Sequence, residues 1–477
     1  MISRRSFTRL SLFGLGLGLA NCTVRSDFSA LHGYSSSNAK NSDLTIWWEQ
    51  GYLPEENAGI LDLVQQWENA SGLNVNLKLM HITVLEQELL KAIAQPENYE
   101  VPDLVFAISL DANLAPKLAW DNHLTDVSDL IEPYRELYTP DALLQVTYRN
   151  KALNGQSYYA IPIGNAGEYL HCWPRMLEQV GLTTQDIPQE WDAFWNFWQQ
   201  VQQQLWTQGD RHIYGIGLCM SEEGVDTFTS LRWFLDAHAT TIVSPDGELM
   251  LPEPDNRQKF IDVLREYTGF YRRGFVPPDA TDWTASGNNF RFLDGGIVMT
   301  HNPTLSIPLT QKLEPNPYNQ DATDRYRSIA TLPWPEKLDG TPMRPRKGIK
   351  QIIVLKAGRH PEATQDFVSY LMQPAALNQL LKEGFKGRFL PVMPQLLSDP
   401  YWQNASDPHL SIALKIQEQP GPVPYEVYHP AYSQILGQHI WGQTILQILR
   451  QDVPPAQAAD WAIAQIQSIW ANWEADS

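Results

Sequence analysis

The chain has 477 residues, 43% of them hydrophobic, enough to fill the cores of two large domains or about three of ordinary size. Its formal charge of −19 makes a field that repels a duplex phosphate backbone, which sets nucleic-acid binding aside. Cysteine use is sparse, three in all, and beyond the N-terminal stretch no apolar run is long enough for a membrane helix.

The chain opens Ser3-Arg4-Arg5-Ser6-Phe7, runs apolar from Leu10 to Ala20 and reaches Asn21-Cys22. Paired arginines ahead of a short apolar run predict a twin-arginine export signal over 1–21. Cys22 resembles the acylated cysteine of a bacterial lipoprotein, with Asn21 standing where such signals carry Gly, Ala or Ser. The address predicted is the periplasm or the outer face of the cytoplasmic membrane, with lipid on Cys22 as the anchor. Removing the signal takes Arg4, Arg5 and Arg9 but no acid, so the mature chain is more acidic still. Residues 22–43 are rich in Ser, Asn and small polar groups and read as a flexible tether. Gly14-Leu-Gly-Leu-Gly18 lies in the signal and Ser37-Asn-Ala-Lys40 in the tether, so neither is taken as a cofactor or nucleophile motif.

Leu44-Thr-Ile-Trp-Trp48 reads as a buried strand. Ile60, Leu61, Val64 and Trp67 then recur at helical spacing over Asn57–Ser71, with Gly72 as the stop. Leu73 to Leu79 alternates like a strand, Val84–Ala94 is helical up to Pro96, Asp103–Ile108 is a short apolar strand, and Ala112–Ala119 is helical again. This β-α-β-α-β order predicts a mostly parallel, doubly wound α/β sheet. Past Tyr158–Gly164 come a strand at 168–173, a Trp-rich helix over Trp191–Trp206 and a strand at 213–219. Helices at Phe228–Ala237 and Arg257–Gly274 follow, then strands at Gly296–His301, Ile329–Leu332 and Lys350–Leu355, a helix at Glu362–Met372 and a largely helical C-terminal third. Cys172 and Cys219 fall in strand-like runs and read as two buried thiols, with a disulfide as the alternative. Arg344, Arg346, Lys347 and Lys350 read as a solvated loop before a strand, with a docking patch or an anion site as the alternative.

Four stretches carry a family resemblance. They are Leu44–Gln50 with the helix ending at Gly72; Pro102-Asp103-Leu-Val-Phe106; Phe290-Arg-Phe-Leu-Asp-Gly-Gly-Ile-Val-Met299; and Lys347-Gly-Ile-Lys350 running to Leu355, then His360-Pro-Glu-Ala363 and a helix. Their order and spacing resemble the extracellular sugar-binding proteins of ABC importers, of the maltose/maltodextrin type, over nearly the whole mature chain. The resemblance implies a two-lobe periplasmic-binding-protein fold with a ligand cleft and a hinge. It implies lobe 1 from 44–163 plus 301–358 and lobe 2 from 164–300 plus 359–477. Hinge passages are implied near Ile163-Gly164, near Thr300-His301 and beyond Gly358.

The implied function is carbohydrate capture and delivery to ABC permease subunits, by a monomer with no cofactor, no metal and no catalytic residue. The implied ligand is an oligosaccharide, disaccharide or glycosyl-polyol. Aromatic faces take the C–H patches of sugar rings while fixed donors and acceptors take the hydroxyls. Positions carried over for that role are Trp48, Glu49 and Gln50 after the first strand; Ser109 and Asp111 after the third; and Asn165 past the first crossover. To these are added Phe228 and Trp233; His301, Asn302 and Thr304, where no Trp stands although relatives often carry one; and Tyr428 and Tyr432 on a late helix. Trp191, Trp195 and Trp198 share one helix face and read as packing. His-Glu-x-x-His, Cys-x-x-Cys and phosphate-loop motifs are absent from the sequence. A secreted carbohydrate-active enzyme using a carboxylate pair is the rival reading, and an envelope scaffold the third.

Overall fold

The computed structural model describes residues 42–475 apart from 285, 313–320, 345 and 419–420. The predicted signal, Cys22 and all but the end of the tether lie outside the described residues. The strands are β1 (Leu44–Glu49), β2 (Val75–Met80), β3 (Leu104–Phe106), β4 (Thr147–Asn150), β5 (Gly155–Tyr158), β6 (Ala160–Ala166), β7 (Tyr169–Cys172), β8 (Tyr214–Gly217), β9 (Ile297–Asn302), β10 (Ala330–Leu332) and β11 (Gly348–Val354).

Two sheets organise two lobes. The first runs β2-β1-β3-β11-β6; β1 pairs parallel with β2 and β3, while β11 pairs antiparallel with β3 and β6. The second runs β10-β7-β9-β8, with only β8 and β9 parallel. The doubly wound prediction therefore describes the first half of the first sheet, and the second sheet is mixed. The hairpin β4–β5 lies outside both sheets and was not anticipated from the residue pattern.

Local chemistry explains the first helix. It spans Pro54–Ser71, earlier than the apolar spacing suggested, because Pro54 fits a first turn and Glu55 and Glu56 follow at the positive end of the dipole. Gly72 closes it at φ 77°, a left-handed cap that a side chain would strain. Ile60, Leu63, Val64 and Trp67 form its buried face. In the second lobe, the Trp191–Gln208 helix buries Trp191, Phe194, Trp195 and Trp198, confirming those rings as packing. Each buried apolar side chain of this kind contributes roughly 2–3 kcal/mol of transfer free energy.

Two hydrophobic cores show how the chain divides. The first draws on residues from Leu44 to Tyr169 and again on Phe367, Leu371, Phe385, Phe389, Met393 and Val427. The second runs from Leu170 through Ile307 and resumes with Ala431, Ile445, Ile466 and Trp470. The implied assignment of all of 359–477 to lobe 2 is therefore corrected: 361–427 pack with the first sheet. The reason is a close contact with the first helix. A Cβ on Gly59 would lie 2.3 Å from Gly384 Cα, Trp67 Nε1 donates to Asp366 at 2.8 Å, and Arg388 holds Glu56 at 2.9 Å. The implied assignment of 301–358 to lobe 1 is corrected in part, since β10 belongs to the second sheet and β9 runs on there to Asn302. The chain crosses between β6 and β7, after β9, between β10 and β11, and at 427–431, the last crossing lying well beyond the passage expected after Gly358.

The lobes touch at several places. The Ala431–Gly437 helix rests on Leu110–Asn113 and Ala115–Trp120, the rings of Trp120 and Trp473 lie 5.6 Å apart, and Asn289 Nδ2 donates to the Tyr52 hydroxyl at 3.4 Å. Cys172 on β7 and Cys219 beyond β8 are both buried and unbonded, with β9 between their strands. Among the described residues no helix is long and apolar enough to cross a membrane.

Candidate functional site

The carboxyl ends of β1 and β3, the start of β11 and the crossing from β6 to β7 share one edge of the first sheet. Open α/β sheets bind ligands at such an edge. Glu49 ends β1 and accepts the Ile108 N–H at 2.6 Å; burial pushes its carboxyl up to about 7. Asp111 takes the Lys350 ammonium at 3.0 Å, and Lys350 also donates to the Ile108 carbonyl at 2.7 Å.

A cavity of about 230 Å³ opens where the second lobe meets the crossing segments. The Val225–Ala237 helix supplies Phe228, Arg232 and Asp236 to its wall, the chain before β11 supplies Arg346, and the Tyr425–Tyr428 helix supplies Tyr425, Glu426 and Tyr428. Tyr432 closes it from the next helix. Arg232 and Asp236 are one helical turn apart and pair at 3.1 Å; Arg232 also binds Glu168, which sits on the β6–β7 crossing. Arg346 is bonded to Glu426, itself 2% exposed. Burial raises the carboxyls of Glu168, Asp236 and Glu426 above their ordinary range, against the pull of these guanidiniums. Burial works against the Arg346 charge as well, but Glu426, Asp111 and Glu168 outweigh it and hold the guanidinium above its usual range.

The structure brings some predicted residues together and scatters others. Phe228, Tyr428 and Tyr432 line the cavity, and Phe228 stacks on Trp441 at 5.7 Å. Asp111 joins the same charge cluster through its field on Arg346 and Glu426. Trp48 belongs to the first core. It is 1% exposed with Phe106 4.3 Å away, because β1 is a central strand covered on both faces. Trp233 is fully buried and stacks on Trp334 at 4.2 Å. Gln50 is half-buried and continues the β1–β2 ladder by donating to the Met80 carbonyl at 2.7 Å; the Ser109 hydroxyl donates to Glu86. Asn165 is tied to Gln417 at 2.9 Å.

Asn302 and Thr304 form a buried turn, in which Asn302 accepts the Thr304 N–H at 2.9 Å and donates to Asn289 at 2.6 Å. His301 is buried, its ring nitrogens have no partner among the described residues, and burial pushes it down to about 3. Arg232, Asp236, Glu168, Glu426 and Tyr425 escaped the sequence reading, and Arg346 entered it only as a member of the basic cluster. The i, i+4 spacing of Arg232 and Asp236 on a predicted helix was the available signal for those two. The solvated-loop reading of the basic cluster is corrected for Arg346, Lys347 and Lys350, whose side chains are only 13%, 12% and 10% exposed and all paired with carboxylates. Among the described residues no group of three His, Cys, Asp or Glu side chains is placed to hold a metal ion.

The fold has many solved likenesses. One is an ABC transporter solute-binding protein from Thermotoga lettingae bound with α-D-tagatose. It matches with a TM-score of 0.71 at 19% identity, over 90% of this chain and 100% of that one. A second is maltose-bound T. maritima MalE3, with a TM-score of 0.68 at 15% identity over 89% and 99%. A third is an ABC transporter solute-binding protein from Agrobacterium radiobacter K84 in complex with ribitol, with a TM-score of 0.68 at 18% identity over 89% and 98%. A sequence search of curated proteins gives no match. The family model of the bacterial extracellular solute-binding proteins matches residues 62–410. With two lobes, multiple crossings and a lined cavity at their junction, the chain belongs to the bacterial extracellular solute-binding protein family.

Proposed function

We propose that this chain is the solute receptor of an ABC importer, and that it captures a carbohydrate and hands it unaltered to membrane permease subunits. The carrying observation is the junction cavity, in which Phe228, Tyr428 and Tyr432 alternate with Arg232, Asp236, Arg346 and Glu426. Aromatic faces beside fixed donors and acceptors suit a ring with apolar C–H patches and hydroxyl edges. The tagatose, maltose and ribitol bound by proteins of like fold support the same ligand chemistry. Export by the 1–21 signal, a lipid on Cys22 and a monomeric state complete the proposal, with 22–43 as the tether. Phe228, Tyr428 and Tyr432 are the predicted residues kept in the binding role, and Glu49 and Asp111 stand at the rim.

Ligand favours the arrangement that closes round it, so binding shifts the population towards closure. Thermal-shift and small-angle scattering measurements on the purified chain across mono-, di- and oligosaccharides and polyols test this. A ligand should raise the unfolding midpoint and shrink the radius of gyration together. No shift in either across the panel would end the proposal. Turnover of an oligosaccharide by the purified protein would favour the enzyme instead.

A further inference from the structure

The charges around the cavity cancel in place. Arg232 is held by Glu168 and Asp236, Arg346 by Glu426, Lys347 by Asp141 and Lys350 by Asp111. Lys337 adds its field at Asp236, so five named cations face five carboxylates. Glu49, facing Lys350 from β1, is pushed towards its neutral form by burial.

We infer that the cavity selects an uncharged, hydroxyl-bearing ligand no larger than one sugar ring or a short sugar alcohol, and that the locked Arg232 and Arg346 pairs set this specificity. The inference rests on the solute-capture reading of the same site. Among the described residues, the two cations that line the cavity, Arg232 and Arg346, are both already committed to carboxylates, so an anionic ligand meets no free one there. It would have to draw a guanidinium from its carboxylate and leave that carboxylate buried and unpaired, which is costly. A cationic ligand faces the mirror problem. Hydrogen-bonding capacity is nonetheless left over just beneath the lining: Arg232 Nε, Arg346 Nε, Glu426 Oε2 and the Tyr432 hydroxyl are buried and have no partner among the described residues. Donor and acceptor stand side by side on Arg346 and Glu426. A hydroxyl both donates and accepts, whereas a carboxylate only accepts and an ammonium only donates.

Size gives an independent limit. At about 230 Å³ the cavity falls below the roughly 300–1,000 Å³ of pockets that take drug-sized ligands, which favours a hexose or a five- or six-carbon alcohol over a longer oligosaccharide.

Calorimetric titration of the full chain with glucose, galactose, mannose and ribitol, the 6-carboxylates and 2-amines of the three hexoses, and maltotriose tests the inference. A neutral hexose or ribitol should bind, and the charged forms of each bound hexose should bind about tenfold or more weakly. Asp236→Asn loosens the hold on Arg232 and should raise carboxylate affinity about tenfold. Glu426→Gln should do the same at Arg346, with circular dichroism confirming each variant's fold; should Glu426→Gln not fold, Asp236→Asn decides. A charged form binding as well as its neutral parent, maltotriose binding tightest, or unchanged carboxylate affinity in the folded variants would overturn the inference while leaving carbohydrate capture standing. Silence across the whole panel would remove both.

Discussion

Arg346 and Trp48 mark what single residues reveal in sequence. Arg346 stands in a basic run and reads as solvated because its counter-charge, Glu426, lies 80 positions away along the chain. Trp48 was legible as a strand end, but exposure is decided by which helices cover the sheet, and here both faces of β1 are covered. Phe228, Tyr428 and Tyr432 reach the cavity because their helices enter its wall, which the family resemblance could place and periodicity could not. Glu426→Gln leaves the Arg346 guanidinium buried without its ion-pair partner. It should cost about 3–5 kcal/mol of unfolding free energy in urea titration. Glu49 behaves oppositely with pH. Its folded carboxyl is raised from an ordinary 4.5 to about 7, so it stabilises least once charged. That stability is full below pH 4.5 and lost as pH rises through 7. Glu49→Gln should therefore raise stability on the order of 3 kcal/mol at about pH 8 and change little at about pH 4, as read by paired denaturation curves.

Between elements, the contact of the first helix with residues 380–384 decides the lobe boundary. The apolar spacing that makes Pro54–Ser71 a helix was plain in the sequence. That Gly59 meets Gly384 was not, because glycine pairs leave no periodic signature. A methyl group there has backbone as its neighbour, so Gly59→Ala should force the segments apart. It should lower stability by about 1–3 kcal/mol through overpacking, measured as a fall in denaturant midpoint with unchanged slope. Another tie joins the lobes through a relay of side chains. His171 Nδ1 lies 3.1 Å from the Thr331 hydroxyl, which lies 2.6 Å from His409 Nδ1, and His409 Nε2 faces the Tyr326 carbonyl at 2.8 Å. With His409 neutral, the carbonyl takes its Nε2–H, so Thr331 donates to Nδ1 and accepts from His171.

For the molecule as a whole, the β-α-β-α-β alternation announced the α/β class and the parallel part of the first sheet. The antiparallel β11 and β6 were hidden, since long-range pairing partners have no local mark. The acidic balance excluded nucleic acid, yet it said nothing of the charge-neutral cluster at the cavity, which exists only once distant segments meet. Both cores are completed late, the first by residues up to Val427 and the second by residues up to Trp473. A chain ended after residue 360 lacks Phe367, Phe385 and Phe389 and leaves the Trp67 face of the first helix bare. It should show no cooperative thermal transition by circular dichroism, whereas the full chain should show one.

That late completion bears on biosynthesis. A ribosome makes the two closing segments only after the opening segments of both lobes, so neither half can mature before the other has been largely made. The nascent polypeptide therefore carries exposed apolar helix faces until residues 361–427 and 431–473 have been made, and its dependence on holding chaperones should fall only once these segments emerge.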